Sequence, residues 1–356
     1  MTSPAPRDVW TGILAESPDA LAFQTPVWLD CICETGGYED VSRLYETSDG
    51  GQLVLPMVRR TRLLGALAIE SSLPAGWGFG GFVTRAATRP EDAAAALSEL
   101  AGHAALRSSV RVRPTPLTAA TWAAAAPAGA IRVPRLAHVL DLEGGFEQVW
   151  ARRFTGSART AVRKAERAGL TVECDTSGRL VPVYYDLYMR SIERWAGGGR
   201  TPLPIARWRG RRRDPLRKLQ LITERLGDAC RIWLASLDGR PAAAIIVLLQ
   251  GRNASYWRGA MDEASAGPTR ANYLLHSRAI EDACRAGCLH YHMGETGSSA
   301  SLAQFKSRFG AAACEYAEYR LERLPITELS RRVRTLERQV IGTAHALLTR
   351  PRGERR

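Results

Sequence analysis

The sequence predicts a mixed α/β protein, α+β in its local order, written twice along the chain as two tandem domains, each a mixed, mostly antiparallel sheet flanked by helices. Three observations predict it. At 356 residues the chain exceeds what one ordinary core accommodates. Two Asp-Gly dipeptides, Asp49-Gly50 and Asp238-Gly239, each stand between apolar runs, which is a strong hairpin signal. Around both dipeptides the same order of elements recurs: hairpin, further strand, helix, strand.

In the first half the strand VSRLYET leads through Asp49-Gly50 to QLVLPMVRR, then to GWGFGGFVT, a helix over 90–106 and the strand VRVRP. In the second, RIWLASL leads through Asp238-Gly239 to AAAIIVLLQ, then to ASYWRGAM, a helix over 270–286 and the strand LHYHMGE. Thr88-x-x-Glu91 reads as a capping box with Pro90 in the first turn, while Gly267-Pro268-Thr269 opens the later helix and Gly287 closes it. Between the halves, TGSARTAVRKAERAGLTVE places Ala161, Val162, Ala165 and Ala168 on one helix side and Arg159, Arg163 and Arg167 on the other. That basic face suits an anionic substrate group or is simply solvated. A last helix is expected over 327–348. The expected boundaries are therefore 1–145, 146–325 and a helix with a basic tail over 326–356.

The formal net charge of +13 is localised. Residues 194–218, RWAGGGRTPLPIARWRGRRRDPLRK, carry nine Arg/Lys against one Asp, and 331–356 carry eight Arg against two Glu, leaving 32 basic and 33 acidic side chains elsewhere. The first segment, broken by Gly and Pro, reads as a basic loop. With Trp195 and Trp208 interleaved it suits a phosphate backbone and stacked bases, so Arg207, Trp208, Arg209, Arg211, Arg212 and Arg213 are the candidate nucleic-acid contacts. The other reading is a solvated surface segment. No apolar run approaches the roughly 18 residues of a membrane span, and MTSPAPRDVW does not read as a secretory leader. Seven scattered cysteines do not form a disulfide framework, so a reducing cytoplasm is the expected compartment. Cys284, Cys288, His290 and His292 lack the spacing of a zinc site, and no metal is expected.

SARTAVRKAERAGLTVE, DGRPAAAIIVLLQ with YWRGAMDE, the helix ANYLLHSRAIEDACRAG and the later FKSRFG, together with the early FQTPVWL and LPAGWGFGGFVT, resemble the Fem-like branch of the GNAT acyltransferase superfamily. The resemblance runs from about Phe23 to Glu322. It implies two tandem GNAT-like domains and transfer of an aminoacyl group from its ester on tRNA to an amine, in a peptidoglycan precursor or a natural-product intermediate. It also places a Phe-Lys pair at the reaction centre, which falls on Phe305 and Lys306.

Aminolysis of an ester builds negative charge on the carbonyl oxygen, and a fixed cation there is worth roughly 3 to 4 kcal/mol. Lys306 is the candidate cation. Phe305 supplies an apolar wall or a stacking face, or else packs in the core. Glu295, closing LHYHMGE, is the candidate base, with Tyr291 as a fallback. Trp257 and Arg258 stand at a strand end where Arg258 meets a substrate anion or pairs with Asp262 or Glu263. Gly80 and Gly81 permit close approach of a ligand or serve a bulge.

The donor is read from what the chain lacks. An Arg/Gln-x-x-Gly-x-Gly/Ala loop, which holds the pyrophosphate of acyl-CoA at a helix start, is missing from DEASAGPTRANYLL and VTRAATRPEDAAAAL, where only Gly267 remains. The expected partner is aminoacyl-tRNA as co-substrate with no bound cofactor. The alternatives are acyl-CoA as donor, or a non-catalytic module that binds RNA or, through the basic tail, a membrane surface.

Overall fold

The computed structural model describes residues 1–324 other than 48, 63–66, 104–107 and 198–200, and also Thr327. In the first half, α1 (Arg7–Glu16) and α2 (Pro26–Gly36) precede β1 (Glu39–Asp40), β2 (Arg43–Glu46), β3 (Gln52–Leu55), β4 (Val58–Arg62), β5 (Leu67–Ser71) and β6 (Val83–Thr84). Then come α3 (Pro90–His103), β7 (Ser108–Val112), α4 (Ala119–Ala125) and β8 (Ile131–Asp141). The second half runs α5 (Gly145–Gln148), α6 (Gly156–Arg167), β9 (Leu170–Asp175), α7 (Val181–Gly197), α8 (Leu203–Arg213), α9 (Leu216–Leu226), β10 (Cys230–Leu237), β11 (Arg240–Gln250) and β12 (Asn253–Met261). It closes with α10 (Glu263–Thr269), α11 (Ala271–Arg285), β13 (His290–Glu295), α12 (Ala300–Arg308) and β14 (Ala312–Glu322).

Local chemistry explains where these elements start and stop. Thr25, Thr155 and Ser299 each cap a helix through the side-chain oxygen, accepting from the N–H of Trp28, Ala158 and Leu302. Gly37 ends α2 in the left-handed conformation. Asp238 (φ +49°) and Gly239 (φ +74°) form the two-residue turn between β10 and β11, because positive φ at both positions matches the twist of the strands it joins. The expected helix over 270–286 is α11, but Gly267-Pro268-Thr269 belongs to a separate short helix, α10, which Arg270 ends at φ +62°.

Four expectations are corrected. QLVLPMVRR is two strands rather than one, β3 and β4 in different sheets, because Pro56 offers no N–H to continue a ladder. GWGFGGFVT is mostly irregular, with only Val83–Thr84 paired, because Gly78 and Gly81 take φ of +101° and +91°. The basic stretch 194–218 is no loop where described after 200: Pro204 sits in the first turn of α8 and Pro215 precedes α9, positions where proline starts helices instead of breaking them. Finally, the halves do not own separate sheets. Apart from Thr327, the expected helix over 327–348 and the basic tail lie outside the described residues.

One eleven-stranded sheet runs β1-β4-β5-β7-β14-β8-β13-β12-β11-β10-β9, and β2-β3-β6 form a small sheet beside it. The repeat is visible within it: the antiparallel pair β4/β5 with β7 parallel to β5 across α3 mirrors the antiparallel pair β11/β12 with β13 parallel to β12 across α11. At the centre the halves exchange strands. β8 lies between β13 and β14, and β14 pairs with β7 of the first half over Tyr319–Glu322. One face is covered by α1, α2, α7 and α9, where the edges of Phe23, Trp77 and Trp257 meet Trp28 at 5.1–5.4 Å between centroids. The second half's other face is covered by α6 and α11.

Candidate functional site

The site is made where two parallel strands part. β12 and β13 are paired only at Asn253–Ser255 with His290–His292. Beyond that point β12 carries an extra residue at Trp257, opposite the Ile246/Val247 step of β11, and β13 swings toward β8 with a register shift between His292 and Glu295 at Gly294 (φ +74°). A V-shaped opening follows in the middle of the sheet.

Lys306 closes its β13 arm. The helix α12 folds back on the strand so that Nζ donates to the carbonyls of Gly294 and Glu295, at 2.8 Å each, and to Thr296 Oγ1 at 3.1 Å. Those carbonyls stand where the β13 register shifts, and the ammonium satisfies them. Lys306 is only 2% exposed, and burial lowers its pKa to about 7, with Glu295 opposing the shift. All three N–H groups are spent on the chain itself.

The Glu295 carboxylate turns to the opposite side, accepting from Tyr316 OH with Arg113 Nη1 at 3.8 Å. Behind it, Glu318 accepts from Arg113 (2.7 and 3.1 Å), Arg135 (3.1 Å) and Arg320 (2.6 Å). Burial alone would raise the Glu318 pKa; Arg113 and Arg320 bring it down to about 2. Thr296 Oγ1 also meets His138 Nδ1 at 2.8 Å, so strands β8, β13 and β14 and the residue following β7 all contribute charged or polar groups here.

On the β12 arm, Arg258 Nη2 and Trp257 Nε1 both donate to Gly76 O of the first half, at 2.6 and 3.3 Å. The ion-pair partner of Arg258 is neither Asp262 nor Glu263, which pair with Arg190 and Arg194, but the buried Asp214 at 3.2 Å. Asp214 also binds Lys218 at 2.7 Å, and the Lys218 ammonium lies 3.7 Å from the centroid of Trp77. Burial lowers Lys218 to about 8; against its own burial, Asp214 is held well below the usual carboxylate range by Arg258 and Lys218.

Other expected site residues serve the fold. Tyr291 is fully buried between β13 and α11, sharing a hydrogen bond with His276 Nδ1 at 3.2 Å, and burial drives its pKa well up. Phe305 packs on Tyr273 and Phe309, ring centroids 5.0 and 5.2 Å away, within an aromatic cluster. A Cβ on Gly80 would meet Ser72 Oγ at 2.5 Å and one on Gly81 would meet Pro114 Cα at 3.2 Å, so protein fills the space expected for a ligand. Gln24 Nε2 sits 3.1 Å from the carbonyls of Gly80, Gly81 and Phe82. Arg159 donates to the carbonyls of Trp150, Ala151 and Phe154 at the end of a π-helical turn. Arg163 lies over Trp150 beside a shallow cavity of about 330 Å³ between α5, α6 and α11.

On α8, Trp208 is 58% exposed with Arg212 over its ring, and Arg209 and Arg211 are exposed. Arg207 is paired with Glu193 at 2.7 Å, and the half-exposed Arg213 pairs with Tyr188 OH and Asp214. The sequence reading missed Arg113, Arg135, Tyr316 and Glu318, whose partners lie up to 205 residues apart. Asp214 and Lys218 did leave a signal, an i,i+4 acid–base pair inside the basic segment.

Residues 152–307 match the model of the acetyltransferase (GNAT) domain. No curated protein matches the sequence. In fold, the crystal structure of FemX superposes with a TM-score of 0.68 at 14% identity, over 92% of this chain and 99% of that one. The C-terminal domain (DUF2156) of a protein assigned as a lysylphosphatidylglycerol synthetase from Agrobacterium fabrum superposes with a TM-score of 0.52 at 13% identity, over 93% and 95% of the two chains. L-PGS from Bacillus licheniformis gives 0.50 at 14%, over 92% and 96%. The opened sheet, Glu295 and Lys306 thus lie within a GNAT acyltransferase domain, and the chain follows the fold of FemX across both halves.

Proposed function

We propose that this acyltransferase is aminoacyl-tRNA-dependent and works in the cytoplasm, moving an amino acid from its ribose ester to an amine of a peptidoglycan precursor or of a biosynthetic intermediate. The observation that carries this reading is the entry to α11. The short helix α10 and the left-handed Arg270 occupy the chain before α11, with no glycine-rich loop to cradle an acyl-CoA pyrophosphate. The fold likeness to FemX and the exposed Trp208, Arg209, Arg211 and Arg212 on α8 support a polyanionic donor. Among the described residues no helix is long and apolar enough to cross a membrane.

In the transfer, the amine attacks the ester carbonyl at the parting of β12 and β13. Lys306 fixes the β13 arm through its three bonds and, with no N–H left to donate, acts on the developing oxyanion only through its positive charge. Arg113, fixed by Glu318, adds a second charge on the Glu295 side. Charged tRNA pools and acyl-CoAs offered separately, with an added amine, test the reading. Consumption of the tRNA ester is expected; consumption of acyl-CoA alone replaces the donor. Binding to RNA or vesicles that survives Lys306→Ala, with no turnover of either donor, would make the chain a binding module.

A further inference from the structure

Acyl transfer to an amine requires a group that takes the amine's proton, and Glu295 is already engaged by Tyr316 and Arg113. Another group stands unengaged at the apex of the opening. Ser255 and His292 are the last residues paired between β12 and β13 before the strands diverge. As register partners in a parallel pair they stand side by side on one face, about 4.8 Å apart in backbone. Both side chains are 1% exposed, and neither Ser255 Oγ nor His292 Nδ1 has a hydrogen-bond partner among the described residues.

The hydrogen-bond network fixes the tautomer. Asn253 Nδ2 faces two carbonyls, Pro18 O at 3.2 Å and Ala20 O at 3.3 Å, so the amide nitrogen must donate there and Oδ1 must be the end that faces His292. His292 Nε2, 3.1 Å from Oδ1, therefore carries the proton. The lone pair is left on Nδ1, the atom without a partner. A buried acceptor of this kind is costly in a protein that gains nothing from it. Burial keeps the imidazole neutral, with its pKa lowered to about 3 and neighbouring His290 contributing.

This face is continuous with the site already described. Phe79 of the first half has its ring centroid 6.5 Å from His292 and 5.7 Å from Tyr316, whose hydroxyl binds Glu295. Asn253, His292 and Ser255 are thus a buried polar group on the Phe79 side of the sheet: the amide orients the ring, and the ring nitrogen and the hydroxyl, carried by paired residues, are both without a partner among the described residues.

We propose that His292 is the general base of the transfer, oriented by Asn253, with Ser255 as a hydrogen-bond partner for the incoming amine. The inference rests on the acyl-transfer reading above. As the amine nitrogen bonds to the ester carbonyl carbon, its proton passes to Nδ1. As the tetrahedral intermediate collapses and the bond to the ribose oxygen breaks, that proton goes to the leaving oxygen, and His292 returns to neutral. The oxyanion formed nearby offsets the cost of a buried imidazolium only while the intermediate exists, which confines the charge to the step that needs it.

His292→Gln is the test, because the glutamine amide still donates to Asn253 but has no basic nitrogen. The expected result is a loss of kcat of ~10²-fold or more with the donor KM and the thermal transition unchanged. Ser255→Ala, which keeps the packing, is expected to reduce kcat about tenfold by removing one hydrogen bond to the reacting amine. Nitrogen-15 NMR of the wild-type histidines, independent of turnover, should find His292 protonated at Nε2 and bare at Nδ1. Full kcat in His292→Gln, or a proton on Nδ1, overturns the inference while leaving the transfer reading intact. If the wild-type chain transfers only from acyl-CoA, the donor reading falls and the same variants decide the base with that donor; if it transfers from neither, both fall together.

Discussion

Lys306 combines a structural duty and a proposed chemical one on the same atom. Its three hydrogens go to Gly294 O, Glu295 O and Thr296 Oγ1, so replacement leaves two strand carbonyls short of a donor in a buried place. Lys306→Met is expected to lower the thermal transition and to reduce transfer by ~10²-fold or more, so activity alone does not separate the two duties. The pH dependence does. With a pKa near 7 the ammonium is present below that value and lost above it, so kcat is expected to fall as pH rises through about 7. Lys306→Arg, charged throughout the range, should remove that alkaline limb. A limb that persists in the arginine variant shows that another group titrates. At this scale the sequence singled out Lys306 and Tyr291 but not their burial or their partners, because a strand residue's face is known only once its neighbours are placed.

At the scale of the element, α8 is the clearest case of sequence chemistry rearranged by packing. Its basic residues read as one polyanion surface, yet Arg207 and Arg213 are consumed by Glu193, Tyr188 and Asp214, and Lys218 on α9 is buried against Trp77. Trp208, Arg209, Arg211 and Arg212 are exposed, while Arg207 and Arg213, though also exposed, are held by those pairings. Replacing Arg209, Arg211 and Arg212 by Gln is expected to weaken tRNA binding about tenfold or more and to reduce the salt slope of binding, with the fold intact, because each phosphate contact contributes through counterion release. An unchanged salt slope, measured by filter binding or anisotropy, takes α8 out of the donor site. Asp214 belongs to a different function. It joins the end of α8 to Arg258, and Arg258 to Gly76, so the helix is anchored to the β12 arm of the opening.

For the whole molecule the exchange of β8 and β14 makes the sheet a single body, and the charges at its centre carry that continuity. Glu318 on β14 binds Arg113, just past the end of β7, and Arg135 on β8. Its pKa is about 2 in the folded chain against an ordinary 4.5, so the unfolded chain binds the proton more readily across that window. The resulting stabilisation, about 3 kcal/mol, is full above pH 4.5 and is lost as pH falls toward 2. Glu318→Gln should lower the thermal transition near neutral pH and flatten its dependence between pH 5 and 3. A variant with the wild-type slope in that range would mean that another carboxylate governs the linkage.

The amino-acid order alone determined the duplicated α/β plan, the Asp238-Gly239 turn and the helix preceding β13, because turns, caps and periodicities are written within a few residues of one another. Only the tertiary structure decided which strands sit side by side, where β12 leaves β13, which arginines face solvent and which histidine nitrogen is left bare. Those outcomes depend on groups more than two hundred residues apart meeting across a sheet, where strand register and the competition for buried hydrogen-bond partners choose the result, and no local pattern encodes that competition.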